Sequence, residues 1–468
     1  MGRYLAIDLG ATSGRVTAGR LEGGRLEVRE AHRFPNRPLE GHDGLRWDVK
    51  GLFEATLTGL AAGIDTDRGL DGIATSTWGV DYGLIDDDGR LLEPPRHYRS
   101  ADRAARERVL AAVPAEELFA RTGVLPQPIN TVFRLGERLA RLRLRDGTTA
   151  LLMPDLWTFW LGGERGAERT IAGTTGMLRA RTGDWDDELL ERAGIDARVL
   201  PAVVEPGQRA GTLRPELRDR LGLADDVAVL RSAGHDTAAA VAAIPGDGHV
   251  AYIACGTWSL AGVEHDAPVL DPAAMRAGFT NELGVGGRVR FQRNLTGLWL
   301  LEEALRQWGA TTAEALAAAE QEGPVASRID VGDPEFIATG DVLARIADAC
   351  RRSDQAVPET LGQFARCILQ SLAGAYGDTI AACVELTGRP VDVVHMVGGG
   401  SRNALLCRLT AEACERDVVA GAAEATSLGN LLVQAMATGE IDSLDALRDV
   451  VRRSTQVVRY EPGATRVH

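Results

Sequence analysis

The sequence predicts an α/β protein built from two related domains, each with a sheet covered by helices. Two segments support the duplication, because both run an apolar strand into a turn of glycine and small hydroxylated residues: Tyr4–Arg15 and Ala251–Ser259. The chain of 468 residues is also too long for one ordinary core, which favours two domains. Length and repetition therefore predict a duplicated fold.

Strands mixed with helices follow the first of these segments. The predicted strands are Arg3–Leu9, Arg15–Leu21, Arg25–Arg33, Gly72–Thr77, Tyr82–Ile85 and Val227–Arg231. The predicted helices are Asp48–Gly63 (with Asp48 as N-cap), Ala101–Ala112, Ala115–Arg121, Thr131–Arg143, Pro154–Leu161, Asp186–Ala193 and Thr237–Ala243. Three consecutive antiparallel-type strands at the start, followed by helices, indicate a sheet with helical cover.

A linker is predicted at Ile244–Gly248, since proline and glycine there end a helix just before a new strand. It divides the chain into domains at 1–244 and 249–440, followed by a C-terminal helix and tail at 441–468. The predicted strands of the second half are Val250–Cys255, Ser259–Glu264 and Val391–Val397. Its predicted helices are Gly297–Trp308, Thr311–Glu320, Asp341–Arg352 and Glu359–Leu386, with a further helix near Arg402.

The composition is that of a globular protein, with 45% apolar residues and a net charge of −14. This charge argues against nucleic acid or anionic membrane as a partner. No apolar run approaches the ~20 residues that span a bilayer, and Asp8 interrupts the N-terminal apolar stretch, so we expect a cytoplasmic protein. The six cysteines form no CxxC pair, which argues against zinc; we expect reduced thiols, with Cys350 and Cys367 able to meet if their helices pack together.

Phosphate binding is predicted without a P-loop. Lys50 is the only lysine, no GxxxxGK[ST] occurs, and the protein-kinase motifs are absent. The two glycine and hydroxyl turns instead offer backbone N–H groups to a polyphosphate, which predicts ATP in a cleft between the domains. Gly398-Gly399-Gly400-Ser401, between a strand and a helix, favours a nucleotide contact over a plain connection. Asp8 could hold Mg²⁺ beside the first turn, or it could simply stabilise that turn.

Gly234-His235-Asp236-Thr237 follows a strand and begins a helix beside the linker. A carboxylate at Asp236 would face the cleft and could take a proton from a substrate hydroxyl. The residues leave a second role equally open, in which Asp236 caps the helix and His235 is an ordinary buried histidine.

Taken together, these segments resemble the FGGY family of carbohydrate kinases over about residues 3–440. The matching motifs are DLGATSGR (Asp8–Arg15), WDV (Trp47–Val49), STWGVDYGL (Ser76–Leu84), YR (Tyr98–Arg99), NTVFRL (Asn130–Leu135), LMPD (Leu152–Asp155), GHDTAAAV (Gly234–Val241), YIACGTWSL (Tyr252–Leu260), NLTGLWLLEE (Asn294–Glu303), VGGGSRN (Val397–Asn403) and EATSLGN (Glu424–Asn430). The TWGVD, HDT and GTWSL strings are the specific ones, whereas the glycine turns are shared by the wider superfamily. The resemblance implies two actin/hexokinase-like, ribonuclease-H-like domains.

The resemblance also implies residue roles. Asp236 would accept the proton of the sugar hydroxyl as it attacks the γ-phosphate of ATP. The ketose would be held by Gly79, His235, Asp236, Thr237 and Asn294. The nucleotide would be bound by Ala11, Thr12, Ser13, Gly14, Arg15, Thr257, Glu302 and Gly399, with Mg²⁺ near Asp8. Three positions depart from the family pattern: Arg134 replaces Lys or Gln, Glu302 replaces a glutamine near the nucleotide, and Ala239 replaces Ser.

Within the family, TWGVD and GTWSL favour L-rhamnulose, phosphorylated at its C1 hydroxyl in L-rhamnose catabolism. L-Fuculose, xylulose, ribulose and glycerol remain as alternatives, because close substrates differ by few hydroxyl contacts. An actin- or Hsp70-like ATPase would need no sugar-side acid such as Asp236, and an inactive sugar sensor would need no phosphate turns. We expect small-molecule partners only, in a monomer or homodimer.

Overall fold

The computed structural model describes residues 2–65, 69–100, 102–142, 147–246, 248–337 and 340–463. Four parts of the sequence-based predictions lie outside these residues: Ala101 and Arg143 at two helix ends, Asp247 of the linker, and 464–468 of the C-terminal tail.

The strands of the described chain include all those predicted and add several short ones. They are β1 Gly2–Leu9, β2 Ser13–Glu22, β3 Arg25–Pro35, β4 Leu39–Gly41, β5 Gly44–Arg46, β6 Gly72–Thr77, β7 Tyr82–Ile85, β8 Thr149–Leu152, β9 Ala167–Glu168, β10 Val203–Val204, β11 Gln208–Thr212, β12 Ala228–Arg231, β13 Val250–Cys255, β14 Trp258–His265, β15 Thr280–Leu283, β16 Val289–Thr296, β17 Val393–Val397, β18 Asp417–Gly421 and β19 Val457–Tyr460.

The described helices include all those predicted, close to their predicted bounds, and add four others. They are α1 Val49–Gly63, α2 Arg103–Ala112, α3 Ala115–Thr122, α4 Thr131–Leu142, α5 Met153–Leu161, α6 Arg169–Ala172, α7 Asp187–Arg192, α8 Pro215–Arg220, α9 Asp236–Ala242, α10 Pro272–Arg276, α11 Trp299–Trp308, α12 Thr312–Glu322, α13 Val342–Arg352, α14 Leu361–Thr387, α15 Ala404–Cys414, α16 Ala425–Ala437 and α17 Leu444–Ser454. Short 3₁₀ helices lie at Tyr98–Ser100, Ala197–Val199, Val285–Gly287, Pro334–Ile337 and Gly399–Arg402. Asp48 caps α1 as predicted, with its carboxylate accepting from the Gly51 N–H.

Contacts divide the chain into two compact units, each made of three segments. Unit 1 comprises Met1–Pro245, His265–Phe291 and Ala425–Ser454; unit 2 comprises Gly246–Glu264, Gln292–Glu424 and Thr455–His468. The first crossing of the chain from one unit to the other lies within the predicted linker. Two later segments, His265–Phe291 and Ala425–Ser454, return to unit 1, whereas a single linker predicts that the chain crosses between the units only once.

The main sheet of unit 1 has the strand order β11-β12-β6-β1-β2-β3. Strands β1, β2 and β3 pair antiparallel, whereas β6 runs parallel to both β1 and β12. Every residue of β6 is buried, as expected for a central strand covered on both faces. The carboxyl ends of β1 and β6 therefore open at the same edge of the sheet.

The sheet of unit 2 repeats this pairing. Strand β13 pairs antiparallel with β14 and parallel with β17, and β17 runs parallel to β18. Thus β13, β14, β17 and β18 correspond in topology to β1, β2, β6 and β12. The duplicated α/β fold predicted from the sequence is confirmed.

Two helices of unit 1 bring polar groups to the edge of its sheet. Helix α16 packs against α9, β1 and β6. Inside this interface the Asn430 amide donates to the Ser76 hydroxyl at 2.9 Å, and Gln434 donates to the carbonyl of Leu5 at 3.0 Å. Buried polar groups with defined partners fix the register of the packing, so α16 is held against β1 and β6, and α9 packs against α16.

In unit 2, α14 is the longest described helix and packs against α11, α12 and α15. By length and composition it qualifies as a membrane span, contrary to the expectation that no apolar run was long enough. However, 67% of its most apolar window is buried inside the protein, which is typical of a core helix.

All six cysteines are buried and unpaired. The Cys350 and Cys367 thiols do meet, as α13 and α14 bring them within hydrogen-bonding contact, and burial raises the pKa of Cys367 to about 12. Buried thiols with raised pKa values are poor nucleophiles, in keeping with a structural role.

Candidate active site

Asp236 is the first residue of α9, and the N-cap position belongs to His235, whose side chain makes no capping bond. The Asp236 Oδ1 accepts from the Thr237 N–H at 2.6 Å and from the Thr237 hydroxyl at 3.1 Å. Its Oδ2 has no hydrogen-bond partner among the described residues, and the side chain is 28% exposed to solvent. Asp236 is therefore the first helical residue and not the N-cap, although its Oδ1 still satisfies a first-turn N–H, which leaves one carboxylate oxygen available for another group.

The electrostatic surroundings of Asp236 suit a proton acceptor. Burial raises its pKa above the ordinary value, while His235 and Thr237 oppose that rise. A raised pKa makes a carboxylate a better base, provided that it remains ionised at the working pH.

His235 lies between charged groups of unit 1 that the sequence analysis did not identify. Its Nε2 is 3.4 Å from the Asp236 Oδ1, and its Nδ1 is 3.3 Å from the Glu282 Oε2. The Arg290 Nη2 lies 2.8 Å from the same Nδ1 and 3.0 Å from the Glu282 Oε2. Glu282 on β15 and Arg290 on β16 thus form a buried ion pair against the predicted sugar-binding histidine.

The turn before Asp236 is anchored by a buried carboxylate. Glu168 accepts from the N–H groups of Thr170 and Gly234 and from the Thr170 hydroxyl, at 2.6 to 2.9 Å. The Thr170 hydroxyl in turn accepts from the His235 N–H at 3.1 Å. Next to Glu168, burial and the Glu168 charge raise the pKa of Asp155 well above its ordinary range.

Gly79, predicted to contact the sugar, follows β6 and precedes a strained residue. Val80 has φ 64°, a left-handed conformation that a β-branched residue adopts at a cost of about 1–3 kcal/mol. Its N–H donates to the Thr174 hydroxyl at 3.1 Å, and its carbonyl accepts from Thr131 at 2.7 Å. These contacts hold the turn in one conformation.

A buried aromatic and ionic cluster lies just beyond this turn. Asp81 is fully buried and accepts from the indole N–H groups of Trp47 at 2.6 Å and Trp78 at 3.1 Å. Its second oxygen pairs with Arg134. The family departure at Arg134 is therefore accommodated, because the guanidinium neutralises a carboxylate that would otherwise be buried without a counter-ion.

The first predicted phosphate turn joins β1 to β2. The Gly10 N–H donates to the Ser13 carbonyl at 2.9 Å, and Asn36 binds the carbonyls of Gly10 and Thr12. The side-chain hydroxyls of Thr12 and Ser13 have no hydrogen-bond partner among the described residues; Thr12 is exposed and Ser13 is partly exposed. Gly14 has a packing role, since a Cβ there would lie 2.3 Å from the Phe34 ring.

Asp8 ends β1 directly before this turn. The Arg15 Nε lies 3.2 Å from its Oδ2, across the β1–β2 ladder. Burial raises the pKa of Asp8 to about 6; Arg15 opposes the rise and Asp236 adds to it. The electrostatic coupling places Asp8 and Asp236 in one region of unit 1.

In unit 2, the equivalent turn follows β13. The carbonyls of Gly256 and Thr257 accept from the N–H groups of Leu298 at 2.9 Å and Gly297 at 3.1 Å, at the start of α11. Gly297 has no room for a side chain, because a Cβ would lie 2.6 Å from the Gly256 carbonyl oxygen. The Thr257 hydroxyl has no partner among the residues that the structure describes.

The three glycines after β17 have different roles. Gly398 has φ 79°, and a Cβ at Gly400 would lie 2.3 Å from the Cys255 Sγ, so backbone conformation and packing require these two. Gly399 has nothing within 4 Å of its Cβ position. Of the triple glycine, only Gly399, the residue predicted to lie along the nucleotide, faces open space.

Two further predicted residues lie on elements of unit 2. Asn294 is on β16, and its side-chain Oδ1 is buried without a hydrogen-bond partner in the described chain. Such an atom is costly unless a ligand or water supplies a donor. Glu302 lies in the first turn of α11, where burial raises its pKa.

The sequence analysis missed Glu168, Glu282 and Arg290. Each is separated along the chain from the Gly234–Thr237 segment and contacts Gly234 or His235 only through the tertiary fold, and none belongs to a motif with a chemical signature. The described chain contains no cluster of three His, Cys, Asp or Glu side chains suited to a metal ion. A cation at Asp8 would therefore need ligands from phosphates and water.

Comparison with protein families matches both halves of the chain. The N-terminal domain of the FGGY family of carbohydrate kinases matches residues 3–243, and the C-terminal domain of the same family matches residues 251–438.

Similar proteins align with almost the full length of this chain. A rhamnulokinase of Bacteroides thetaiotaomicron is 38% identical over 98% of this chain and 96% of its own, and a rhamnulokinase of Enterococcus faecalis is 38% identical over 98% and 94%. Among solved structures, a xylulose kinase from Lactobacillus acidophilus has a TM-score of 0.78 at 18% identity, covering 99% of this chain and 94% of its own. Plasmodium falciparum glycerol kinase with ADP has the same TM-score at 15% identity, with the same coverage. The chain belongs to the FGGY family of carbohydrate kinases.

Proposed function

We propose that this kinase transfers the γ-phosphate of ATP to the C1 hydroxyl of L-rhamnulose, giving L-rhamnulose 1-phosphate. The similarity to rhamnulokinases over 98% of the chain supports the substrate. The observation that carries the chemistry is the Asp236 carboxylate, with Oδ1 held by Thr237 and Oδ2 without a hydrogen-bond partner in the described chain.

In the proposed reaction, Asp236 accepts the proton of the C1 hydroxyl as that oxygen attacks phosphorus. The Thr237 N–H and hydroxyl keep the carboxylate oriented, which leaves Oδ2 to receive the proton. His235, Thr237, Gly79 and Asn294 hold the ketose. The buried unsatisfied Oδ1 of Asn294 suits a sugar hydroxyl donor. Phosphoryl transfer depends mostly on positioning and charge neutralisation, so few groups are required.

The nucleotide is assigned to the two glycine and hydroxyl turns and to two further positions. Phosphates would be bound by Ala11, Thr12, Ser13, Gly14, Arg15 and Thr257, and the nucleotide would contact Glu302 and Gly399. The hydroxyls of Thr12, Ser13 and Thr257 lack partners in the described chain, which supports this assignment. For Glu302 the support is weakest, because a carboxylate is a poor neighbour for phosphates.

Mg²⁺ is proposed near Asp8. The fit is partial: one buried carboxylate with a pKa of about 6 is ionised at neutral pH, but the Arg15 guanidinium already pairs with its Oδ2. Mg²⁺ keeps several waters and is often bound by one carboxylate together with substrate phosphates. When bound, it would neutralise phosphate charge.

We also propose that the enzyme acts in the cytoplasm with the sugar and ATP as its partners, without nucleic acid or membrane. The burial of α14 within unit 2 supports a role for that helix in the protein core.

The test is a panel of L-rhamnulose, L-fuculose, xylulose, ribulose and glycerol in an ADP-release assay with MgATP. We expect the highest kcat/KM for L-rhamnulose and little ADP release without an acceptor. A tenfold preference for another acceptor, equivalent to ~1.4 kcal/mol of transition-state binding, would overturn the substrate assignment. Rapid ADP release without any acceptor would favour an ATPase.

A further inference from the structure

The two ring nitrogens of His235 have different neighbours. Nδ1 lies 2.8 Å from the Arg290 Nη2 and 3.3 Å from the Glu282 Oε2. Nε2 lies 3.4 Å from the Asp236 Oδ1. Because neutral imidazole carries one proton, these neighbours decide which nitrogen donates and which accepts.

The Arg290 side chain determines which ring nitrogen of His235 carries the proton. A guanidinium carries donors only and stays protonated in proteins, so it cannot accept a hydrogen bond from Nδ1. At 2.8 Å, an N–H on Nδ1 would point at an Arg290 N–H, whereas a lone pair on Nδ1 makes a good hydrogen bond. The proton of a neutral His235 must then be on Nε2, the nitrogen that faces Asp236.

Arg290 is held firmly enough to impose this state. Its side chain has 0% exposure, its Nη2 donates to the Glu282 Oε2 at 3.0 Å, and its Nε reaches the Leu283 carbonyl at 3.4 Å. Burial raises the pKa of Glu282, but the charge and hydrogen bond of Arg290 oppose that rise and the pKa lies below its ordinary value, so Glu282 is the counter-ion. A buried charge with a partner on an adjacent strand has few alternative positions.

We propose that Arg290, neutralised by Glu282, fixes His235 as the neutral Nε2–H tautomer, whose proton is directed at Asp236 Oδ1. Arg290 is thus a positioning residue for the proton acceptor, and this role rests on the proposed function of Asp236. The donors of Thr237 and His235 converge on Oδ1, so Oδ2 is the atom left for the substrate proton. The 3.4 Å separation is long, as is common for catalytic contacts before substrate binds.

The same arrangement explains how His235 stays neutral although it lies between two carboxylates. Without Arg290, the imidazole would lie between the carboxylates of Glu282 and Asp236, with one facing each nitrogen. Such surroundings stabilise the doubly protonated imidazolium. A cation against Asp236 would weaken that carboxylate as a proton acceptor.

The first test is the nitrogen NMR spectrum of the full-length enzyme with isotope-labelled histidine at neutral pH. The His235→Asn variant identifies the signals among those of the eight histidines. We expect Nδ1 of His235 at the chemical shift of an unprotonated nitrogen and Nε2 at that of a protonated one. A protonated Nδ1 in the wild-type enzyme would overturn the proposal, and this measurement requires no change at Arg290.

The second test uses substitution. Arg290→Met should bring a proton to Nδ1 and lower kcat by on the order of 10-fold with little change in the KM for ATP. Adding Glu282→Leu removes the second carboxylate, so the double variant should return His235 to the neutral form and recover part of kcat. Arg288→Met is the control, because Arg288 is a partly exposed arginine that pairs with Asp266.

A purely structural role for Arg290 predicts a different outcome. The kcat of the double variant would be no higher than that of Arg290→Met, and the His235 ring signals of Arg290→Met would match those of the wild-type enzyme. Either result would reject the proposal. If Arg290→Met does not fold, the double variant and the wild-type spectrum still decide. The tautomer is measured without turnover, so it can be confirmed or rejected even if the kinetics of Asp236 variants disprove the proposed function.

Discussion

Glu168 Oε2 accepts a hydrogen bond from the backbone N–H of Gly234 at 2.8 Å, although the two residues are 66 positions apart in the chain. The same carboxylate binds the Thr170 N–H and hydroxyl. Glu168 therefore connects the start of α6 to the turn that carries Asp236. A buried acid thus anchors the turn that precedes the proposed base.

Glu168→Gln should destabilise the enzyme by about 1–3 kcal/mol, because the amide NH₂ would face N–H donors and leave buried groups unsatisfied. We also expect kcat to fall, since the Gly234 turn loses its anchor. Denaturant unfolding and steady-state kinetics measure the two effects. Glu191→Gln, an exposed change on α7, is the control. Unchanged stability would show that Glu168 does not hold the turn.

The fold was largely predictable because its main elements have strong local signals. Strand β6 was predicted with its observed bounds, Gly72–Thr77, and so was β13, Val250–Cys255. Helix α16 was not predicted. Ten of its thirteen residues are buried, including Asn430 and Gln434, so it lacks the one-sided apolar stripe that identifies a surface helix.

The site was predictable only where it follows a motif. Asp236 and Thr257 lie in strings with a recognisable pattern, whereas Glu282 and Arg290 lie on two strands, β15 and β16, that were not predicted and carry no signature of their own. Their roles come from strand pairing and burial, which are tertiary effects. The strain at Val80 was equally hidden, since its φ of 64° opposes the local preference of valine.

A second prediction concerns Asp155, whose pKa is raised well above its ordinary value by burial and by Glu168. The folded chain therefore holds a proton that the unfolded chain releases above about pH 4, so this group makes folding less favourable as pH rises from there. Asp155→Asn removes this contribution to the pH dependence of folding. We expect the free energy of unfolding of the variant, relative to wild type, to be larger at about pH 8 than at about pH 5.

Urea unfolding at the two pH values measures that difference. Asp187→Asn, an exposed change in the first turn of α7, should leave the pH dependence unchanged. An equal effect of Asp155→Asn at both pH values would mean that Asp155 is ionised throughout this range.

The third prediction tests the turn after β13. Thr257→Val removes a hydroxyl that lacks a partner in the described chain, while it keeps the side-chain volume. The backbone bonds of the turn involve the Thr257 carbonyl, so folding should be preserved. We expect ATP use to weaken by roughly 1–3 kcal/mol in kcat/KM, with little change in the KM for the sugar. Unchanged ATP kinetics would make Gly256-Thr257 an ordinary turn.

The last prediction concerns Asp236. Asp236→Asn should preserve the fold, because the asparagine oxygen can still accept from the Thr237 N–H, as the Asp236 Oδ1 does at 2.6 Å. The amide cannot accept a proton, and no other carboxylate at the start of α9 replaces it. Base catalysis contributes typically about 10²–10⁴ in rate, so kcat should fall by that order while ATP binding and the melting temperature stay close to wild type. Asp271→Asn, which alters the N-cap of α10, is the matched control and should retain activity. Near-normal kcat in Asp236→Asn, at an unchanged melting temperature, would remove Asp236 from the mechanism and leave Oδ2 without a role.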